Sequence, residues 1–175
     1  MIKPFRVFRE MICTIPGIGP MTADVVIAET GGDMSRFASA AHLASWAGAA
    51  PGMNESAGKI KSSHVRPGNP YLKGALGTAA MNCCRMPGTY LGVRYRRLSA
   101  RRGPMRANVA TQRAMLTAIW HMATTGALYI DPGPDYFTRL NPGKAKDRAL
   151  RQLESMGYTV TLRAADRTEQ SQPRE

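Results

Sequence analysis

One serine in a glycine-rich, cationic stretch is the residue of this sequence best placed for chemistry. Ser56 lies between two glycines, and Lys59 and Lys61 follow it closely. A serine that attacks a phosphodiester must lose its proton, and the charge that grows on the phosphate oxygens must be stabilised. Lysine and arginine can meet the second need, whereas His64 is only a weak candidate for the base. Ser56 can therefore be interpreted either as a nucleophile or as an ordinary loop residue.

The positive charge of the chain is concentrated around and after this serine. The formal net charge is +12, and residues 56–130 contain twelve Lys and Arg side chains but no Asp or Glu. The remainder of the chain is balanced. A localised excess indicates nucleic-acid binding more strongly than the same charge spread evenly. The alternative interpretation is a solvated basic face that maintains solubility.

Three arginines recur at helical spacing within residues 90–102. Arg94, Arg97 and Arg101 stand at i, i+3 and i+7 and would form one basic helix face. Like charges so spaced repel each other, and this repulsion is tolerated more readily when phosphates lie opposite. We predict that these arginines bind nucleic acid together with four cations of the preceding segments: Lys59, Lys61, Arg66 and Lys73.

Two glycines near the N-terminus form a second candidate contact. Residues 15–20 read Ile-Pro-Gly-Ile-Gly-Pro, and the flanking patterns resemble a helix-hairpin-helix segment over about 10–30. In that motif, residues such as Gly17 and Gly19 let the backbone approach a phosphate, and the next helix contributes unpaired N–H groups. A tight turn between two helices, with no ligand, uses the same residue types.

Hydrophobic periodicity predicts a mainly α fold, a compact helical domain over residues 1–163. Ser39 and Asn69 have the residue type and position of helix N-caps. One predicted helix ends at Gly31. The other predicted helices cover about residues 4–13, 39–47, 70–85, 90–102, 105–124, 135–140 and 144–156.

The segments between these helices have a different character. Residues 48–68 are rich in Pro and Gly and predict a basic loop or a short hairpin, with pairing around 59–65. The sequence of residues 158–162 predicts a short C-terminal strand. The polar residues 164–175 predict a disordered tail.

Several other chemistries are disfavoured by the residues present. Metal-dependent strand transfer needs clustered carboxylates, and the basic centre of the chain has none, so we predict no metal ligands and no cofactor within this chain. The phosphate-binding-loop signature fails because five residues separate Gly52 from Gly58 and because Ile60 follows Lys59.

Cysteine usage and hydropathy predict a cytoplasmic protein with no membrane partner. The chain has three cysteines, two of them adjacent, without the spacing of a zinc site. This pattern argues against a disulfide framework and for a reducing compartment. No apolar run approaches the ~18 residues of a membrane span. Arg6 and Arg9 interrupt any apolar core of a signal peptide.

Short motifs along most of the chain resemble, in their order, one known family. They are Ile15 to Pro20, Leu43 to Gly52, Glu55 to Lys59, Gly68 to Leu72 and residues 136–162. This order is similar to the C-terminal transposase domain of the bridge-RNA-guided insertion-sequence recombinases, the IS110 group. The resemblance covers roughly residues 10–163.

The resemblance implies a DNA recombinase whose serine forms a covalent phosphoserine-type link to a cut strand. Ser56, before Ala57-Gly58, matches the position of that serine, and Ser62 and Ser63 are second choices. The implied partners are DNA, a guide RNA and further copies of the full-length protein. The family also carries an N-terminal ribonuclease-H-like domain with an acidic quartet that binds Mg²⁺. That domain is absent here, so we expect the chain to be a downstream part of a longer transposase, with Mg²⁺ belonging to the missing part.

Two other functions remain open from the sequence. The first is a non-catalytic helix-hairpin-helix module that binds DNA or RNA. The second is a glycosylase of the helix-hairpin-helix class, which would place a catalytic aspartate after the hairpin. Asp33 is the nearby aspartate, and it lies in a Gly-Gly-Asp turn.

Overall fold

The computed structural model describes residues 3–52, 54–56, 59–62 and 64–163. Helices form most of this part of the chain. The prediction of a mainly α fold is confirmed. The chain divides into two units, one ending at Asp135 and one beginning at Tyr136. In chain order the helices and strands are α1 (Arg6–Ile12), α2 (Pro20–Thr30), α3 (Ala40–Trp46), β1 (Asn54–Ser56), β2 (Lys59–Ser62), α4 (Pro70–Cys83), α5 (Tyr90–Arg102), α6 (Pro104–Thr125), α7 (Tyr136–Leu140) and α8 (Pro142–Ser155).

Side-chain caps explain where several helices of the first unit begin. Ser39 Oγ accepts a hydrogen bond from the backbone N–H of His42 at 3.2 Å. Asn69 Oδ1 accepts from the N–H of Leu72 at 2.9 Å. Both N-cap predictions are thereby confirmed. Such a bond satisfies an N–H group that has no partner inside the helix, which stabilises the helix start by about 1 kcal/mol.

Helix α6 lies at the centre of the first unit. It packs against α1, α3, α4 and α5. Its buried side chains Met115, Leu116 and Ile119 belong to a core that α2 and α4 extend. The indole Nε1–H of Trp120 donates to the carbonyl of Phe37 at 3.0 Å, which ties α6 to the segment before α3. The framework that carries the central hairpin is thus built around one long helix.

The two strands form an antiparallel hairpin, so the hairpin alternative for residues 48–68 is the correct one. β2 lies within the predicted segment, but its partner is β1, which precedes it. The Cα partners are Asn54 with Ser62, Glu55 with Ile60, and Ser56 with Lys59, with an irregularity after Asn54. The pairing therefore begins earlier in the chain than the sequence predicted.

The second unit contains α7 and α8, which contact each other. The predicted strand at 158–162 is wrong, because the structure has no strand there. The N–H of Tyr158 instead donates to the carbonyl of Leu153 at 3.1 Å, and that of Gly157 to Glu154 at 2.9 Å. Gly157 has a φ of 88°, and this pattern closes the C-terminus of α8. Tyr158, the first residue of the predicted strand, therefore takes part in the C-terminal cap of α8.

The other domain predictions keep their status. The assignment of residues 1–163 to a single domain stays a prediction. The predicted disordered tail, residues 164–175, lies outside the described residues.

Candidate nucleic-acid interface

Ser56 is the last residue of β1, at the turn end of the hairpin. Its Cα partner is Lys59, the first residue of β2. Directly opposed residues of an antiparallel pair have Cα atoms about 4.5–5.5 Å apart. Ser62 pairs with Asn54 and is farther from the turn, whereas Ser63 lies outside the described residues. The backbone therefore places a lysine, and not a second serine, opposite Ser56.

Backbone pairing closes the base of the hairpin. The N–H of Gly52 donates to the carbonyl of His64 at 3.0 Å. Pro51 and Val65 form an isolated antiparallel bridge next to this bond. We call these four residues, Pro51, Gly52, His64 and Val65, the hairpin stem. The stem thus pairs the two segments of chain where the hairpin leaves the helical framework.

Two glycines let the chain cross itself just below the stem. A Cβ added to Gly68 would lie 2.3 Å from the backbone of Ala47 and Gly48. Gly48 itself has a φ of +72°, which favours glycine, and a Cβ there would lie 2.9 Å from Gly68. The end of α3 and the segment before α4 therefore touch backbone to backbone. Any larger side chain at this crossing would displace the hairpin.

A polar contact holds the exit from the hairpin. The Nδ2–H of Asn69 donates to Oε2 of Glu29, near the end of α2. The same Asn69 side chain caps α4 through its Oδ1. One amide thus orients the start of α4 and links it to α2.

The stem geometry argues against His64 as the base for Ser56. Ser56 stands four positions after Gly52 in the chain, and each of these two residues marks one pair of the hairpin. At about 3.3 Å per residue this is about 13 Å, which exceeds hydrogen-bond reach. The His64 ring lies with Nδ1 2.9 Å from the carbonyl of Val65. His64 belongs to the stem and to the cleft beside it.

A cleft of about 580 Å³ lies between the stem and the first half of α6. The stem contributes Pro51, His64 and Val65, and the end of the loop after α3 contributes Ala49. Helix α6 contributes the remaining lining residues: Met105, Arg106, Val109, Ala110 and Arg113. The floor is apolar, and the two arginines are exposed. Neither arginine was among the predicted contacts, although their spacing of seven residues on one helix face was available in the sequence.

The predicted basic face of α5 is divided by burial. Arg97 and Arg101 are exposed, whereas Arg94 is half-buried. Arg94 Nη1–H donates to the hydroxyl of Tyr90 at 3.2 Å, and its Nε is buried. Arg94 therefore has a packing role, and the other two arginines of this face, Arg97 and Arg101, are exposed.

The other predicted cations lie near the hairpin. Arg66 is exposed, and its Cγ lies 3.5 Å from the Cβ position of Gly52. Lys73 is half-buried in the first turn of α4. Lys59 and Lys61 are both in β2. The hairpin, the start of α4 and the α5–α6 pair thus carry the basic residues of the candidate interface.

The two glycines of the predicted helix-hairpin-helix turn have different environments. Gly17 has a φ of +87°, and a Cβ there would lie 2.5 Å from both Ala79 O and Cys83 Sγ of α4. The Cys83 thiol donates to the carbonyl of Pro16 at 2.9 Å. Gly19 has open space around it and precedes α2, which has no side-chain cap. Packing against α4 explains Gly17, and Gly19 alone is open to a phosphate.

Ionisable groups near this turn are neutralised or kept neutral. Arg9 Nη2–H donates to Asp24 Oδ2 at 3.0 Å, and the bond from Arg9 lowers the pKa of Asp24. Burial raises the pKa of the Cys83 thiol to about 12. At neutral pH this thiol is therefore protonated, which makes it a poor nucleophile.

Several carboxylates of the first unit have structural partners. Asp33 Oδ1 accepts from the N–H of Ser35 at 2.9 Å. Asp131 Oδ1 accepts from the N–H of Tyr90 at 3.0 Å. Within the part of the chain that the structure describes, no three His, Cys, Asp or Glu side chains come close enough to hold a metal ion. None of the described helices is both long and apolar enough to cross a membrane.

Two comparisons place the chain among known sequences. Residues 9–96, half of the chain, match the family described as "Transposase IS116/IS110/IS902 family". Over 74 residues the chain is 42% identical to the "Insertion element IS110 uncharacterized 43.6 kDa protein" of Streptomyces coelicolor. This match covers 42% of the chain and 18% of that relative. The chain therefore spans less than a fifth of the curated relative that it matches.

Proposed function

The chain belongs to the IS116/IS110/IS902 transposase family, and we propose that it is a DNA-binding, serine-bearing domain of a DNA transposase. The observation that supports this proposal is the position of Ser56 at the turn end of a hairpin with a fixed stem. The stem and the Gly48–Gly68 crossing give the base of that hairpin backbone contacts to the helical framework. Rigid support is what a reacting group requires.

We propose that Ser56 Oγ attacks the phosphorus of a DNA phosphodiester. A bond forms between the serine oxygen and phosphorus, and the bond between phosphorus and the sugar 3′ oxygen breaks. The serine proton passes to a base, and the departing oxygen takes up a proton to become a 3′-hydroxyl. Lys59, the Cα partner of Ser56, would stabilise the charge on the phosphate oxygens.

The base for this reaction would come from outside the described residues. His64 is about 13 Å from Ser56 by chain length, and Asp24 and Asp131 already have structural partners. We propose that an acidic, Mg²⁺-binding domain of the longer transposase supplies these groups. A guide RNA and further copies of the protein would complete the active assembly.

Trapping a covalent adduct tests this function. The chain is combined with the acidic domain of a family member, its guide RNA, Mg²⁺ and labelled target DNA, and protein–DNA species that survive denaturant are counted. We expect an adduct with the wild type and none with Ser56→Ala. Ser62→Ala, a change of the same kind in the partner strand, is the matched control and should keep the adduct.

Each alternative gives a different result. An adduct that persists in Ser56→Ala and disappears in Ser62→Ala would assign the nucleophile to Ser62. The non-catalytic binding module predicts salt-dependent DNA binding and no adduct with any variant.

A further inference from the structure

The cleft between the hairpin stem and α6 has the chemistry of a nucleotide site. Its volume of about 580 Å³ is within the range of pockets that hold small molecules. Ala49, Val109 and Ala110 give it an apolar floor, and Arg106 and Arg113 stand on the α6 side. No carboxylate is among the described residues that line it. A flat ring between two phosphates would complement this combination.

The two arginines have the spacing of separate phosphates. Seven residues of helix separate Arg106 from Arg113, which corresponds to about 10 Å along α6. Phosphates of a stacked strand follow one another every ~3.4 Å along the axis, so the two guanidinium groups would bind different phosphates of one strand. Val109 and Ala110 lie between them and leave room for a base.

A duplex presents its bases stacked and paired, so that only a single strand can place a base in such a cleft. Met105, whose side chain is 80% exposed, lies at the cleft with a sulfur that can contact a ring. Single-strand sites commonly combine a basic track with groups on which bases stack.

We propose that the cleft binds single-stranded DNA and thereby aligns the strand whose phosphate reaches Ser56. This inference rests on the proposed function. The stem that lines the cleft precedes β1 in the chain, and Ser56 stands five positions after Pro51, which corresponds to about 16 Å of extended chain. A strand held in the cleft would place a phosphate at Ser56 roughly five nucleotides away.

The lining favours DNA over RNA as the occupant. Among the described residues at the cleft, His64 and the two arginines are the side chains with nitrogen donors, and none carries an amide or hydroxyl group. The ribose 2′-hydroxyl of RNA is both a donor and an acceptor, and it would have no partner against the apolar side chains of Ala49, Val109 and Ala110. The apolar floor fits a deoxyribose and its base.

Binding of short labelled oligonucleotides by the full chain tests the cleft. The ligands are deoxythymidine and uridine strands of about 12 nucleotides and a DNA duplex of the same length, measured by fluorescence anisotropy over a range of salt. For Arg106→Gln with Arg113→Gln we expect at least a tenfold loss of single-stranded DNA affinity. The salt slope should fall by about 1.4 for two lost contacts. Duplex affinity should change less than threefold.

Two further variants make the result specific. Arg148→Gln with Arg151→Gln removes the same charge from α8 and should change single-strand affinity less than threefold. Ala110→Met keeps both arginines and fills the cleft, so it should weaken single-strand binding several-fold without changing the salt slope. Circular dichroism establishes that each variant is folded.

Several outcomes would overturn the inference. Equal losses for single strand and duplex, or equal losses from the α8 pair, would leave only general electrostatic attraction. Tighter binding of the uridine strand would give the cleft to RNA. The failures of the two proposals are separable: Ser56→Ala should abolish the adduct and keep single-strand binding, whereas the arginine pair should weaken single-strand binding and lower the adduct yield without abolishing it.

Discussion

The N-terminal α1–α2 segment and the α5–α6 pair differ in the way they could contact a nucleic acid. The α1–α2 segment, residues 6–30, carries two arginines and three carboxylates. Its Arg9 is paired with Asp24, and its Gly17 is packed against α4. Residues 90–125 carry seven arginines and no carboxylate. The region with the recognisable glycine motif is nearly neutral, and the region without a motif holds the charge.

This contrast shows that a glycine-rich turn has two physical uses that the sequence does not separate. A missing Cβ can admit a phosphate or can admit a neighbouring helix. At Gly17 the neighbour is α4, with the Ala79 carbonyl and the Cys83 thiol in the vacant space. Phosphate affinity depends mainly on cations, because their binding releases counterions from the nucleic acid. The basic pair is therefore expected to dominate affinity.

The largest expected effect concerns stability and separates the two glycines of the turn. Gly17→Ala forces a φ of +87° on alanine and puts its Cβ 2.5 Å from α4 atoms. Strain and overpacking together should cost about 2–4 kcal/mol in the free energy of unfolding. Urea unfolding followed by circular dichroism measures this loss.

Gly19→Ala is the matched control for that substitution. Its Cβ would enter open space, and the φ of −98° suits alanine. The free energy of unfolding should stay within about 0.5 kcal/mol of the wild type. Similar losses at both positions would contradict the packing explanation for Gly17.

The next effect concerns duplex affinity and tests which region carries it. Arg97→Gln with Arg101→Gln should lower affinity about tenfold for every sequence, because phosphate contacts position a protein without specifying bases. The salt slope should decrease by about 1.8 for two lost contacts. Arg6→Gln with Arg36→Gln removes the same charge before α3. A loss of equal size from that control pair, in filter binding across several sequences, would end the distinction between the regions.

The sequence predicted those features of the fold that depend on neighbouring residues. The Ser39 and Asn69 caps need only a side chain and an N–H three residues later, and α5 begins and ends at the predicted residues. The cleft could not be predicted, because Arg106 and the stem line the same cavity only through the packing of α6 and the Gly48–Gly68 crossing. Sequence spacing marks a helix face but does not identify what lies opposite it.

The candidate site shows the same division between local and distant information. The positions of glycine and proline indicated the β1–β2 hairpin in the sequence, whereas the pairing register of its strands is known only from the structure. That register places Lys59 opposite Ser56 and moves His64 out of reach. Arg94 was predicted as a contact from spacing alone, yet its Nη1 is used by Tyr90 within α5. Burial separates equal charges on one helix, and burial depends on the rest of the fold.

A smaller effect on duplex affinity tests the contribution of the α1–α2 segment. Gly19 is the residue of the turn that is still open to a phosphate, at the uncapped start of α2. A methyl group there should hinder close approach and lower duplex affinity roughly threefold, well below the effect of the arginine pair. The anisotropy of labelled duplex measures it, with Gly143→Ala as the control, since a Cβ at Gly143 also meets open space. An unchanged affinity would assign the turn entirely to packing.

The smallest expected effect is a pH dependence of stability that arises from the Arg9–Asp24 pair of the α1–α2 segment. The hydrogen bond from Arg9 lowers the pKa of Asp24 below its ordinary value of 3.8. A group with a lowered folded-state pKa stabilises the fold above its ordinary pKa, and this stabilisation is lost as the pH falls through the folded-state value. The difference in urea midpoint between the wild type and Asp24→Asn should therefore be constant from about pH 7 to 5 and should shrink below about pH 4. Asp147→Asn, an exposed carboxylate on α8, provides the background for losing one charge. A midpoint difference for Asp24→Asn that stayed constant down to the lowest pH would show that the Arg9 pair contributes through packing and not through charge.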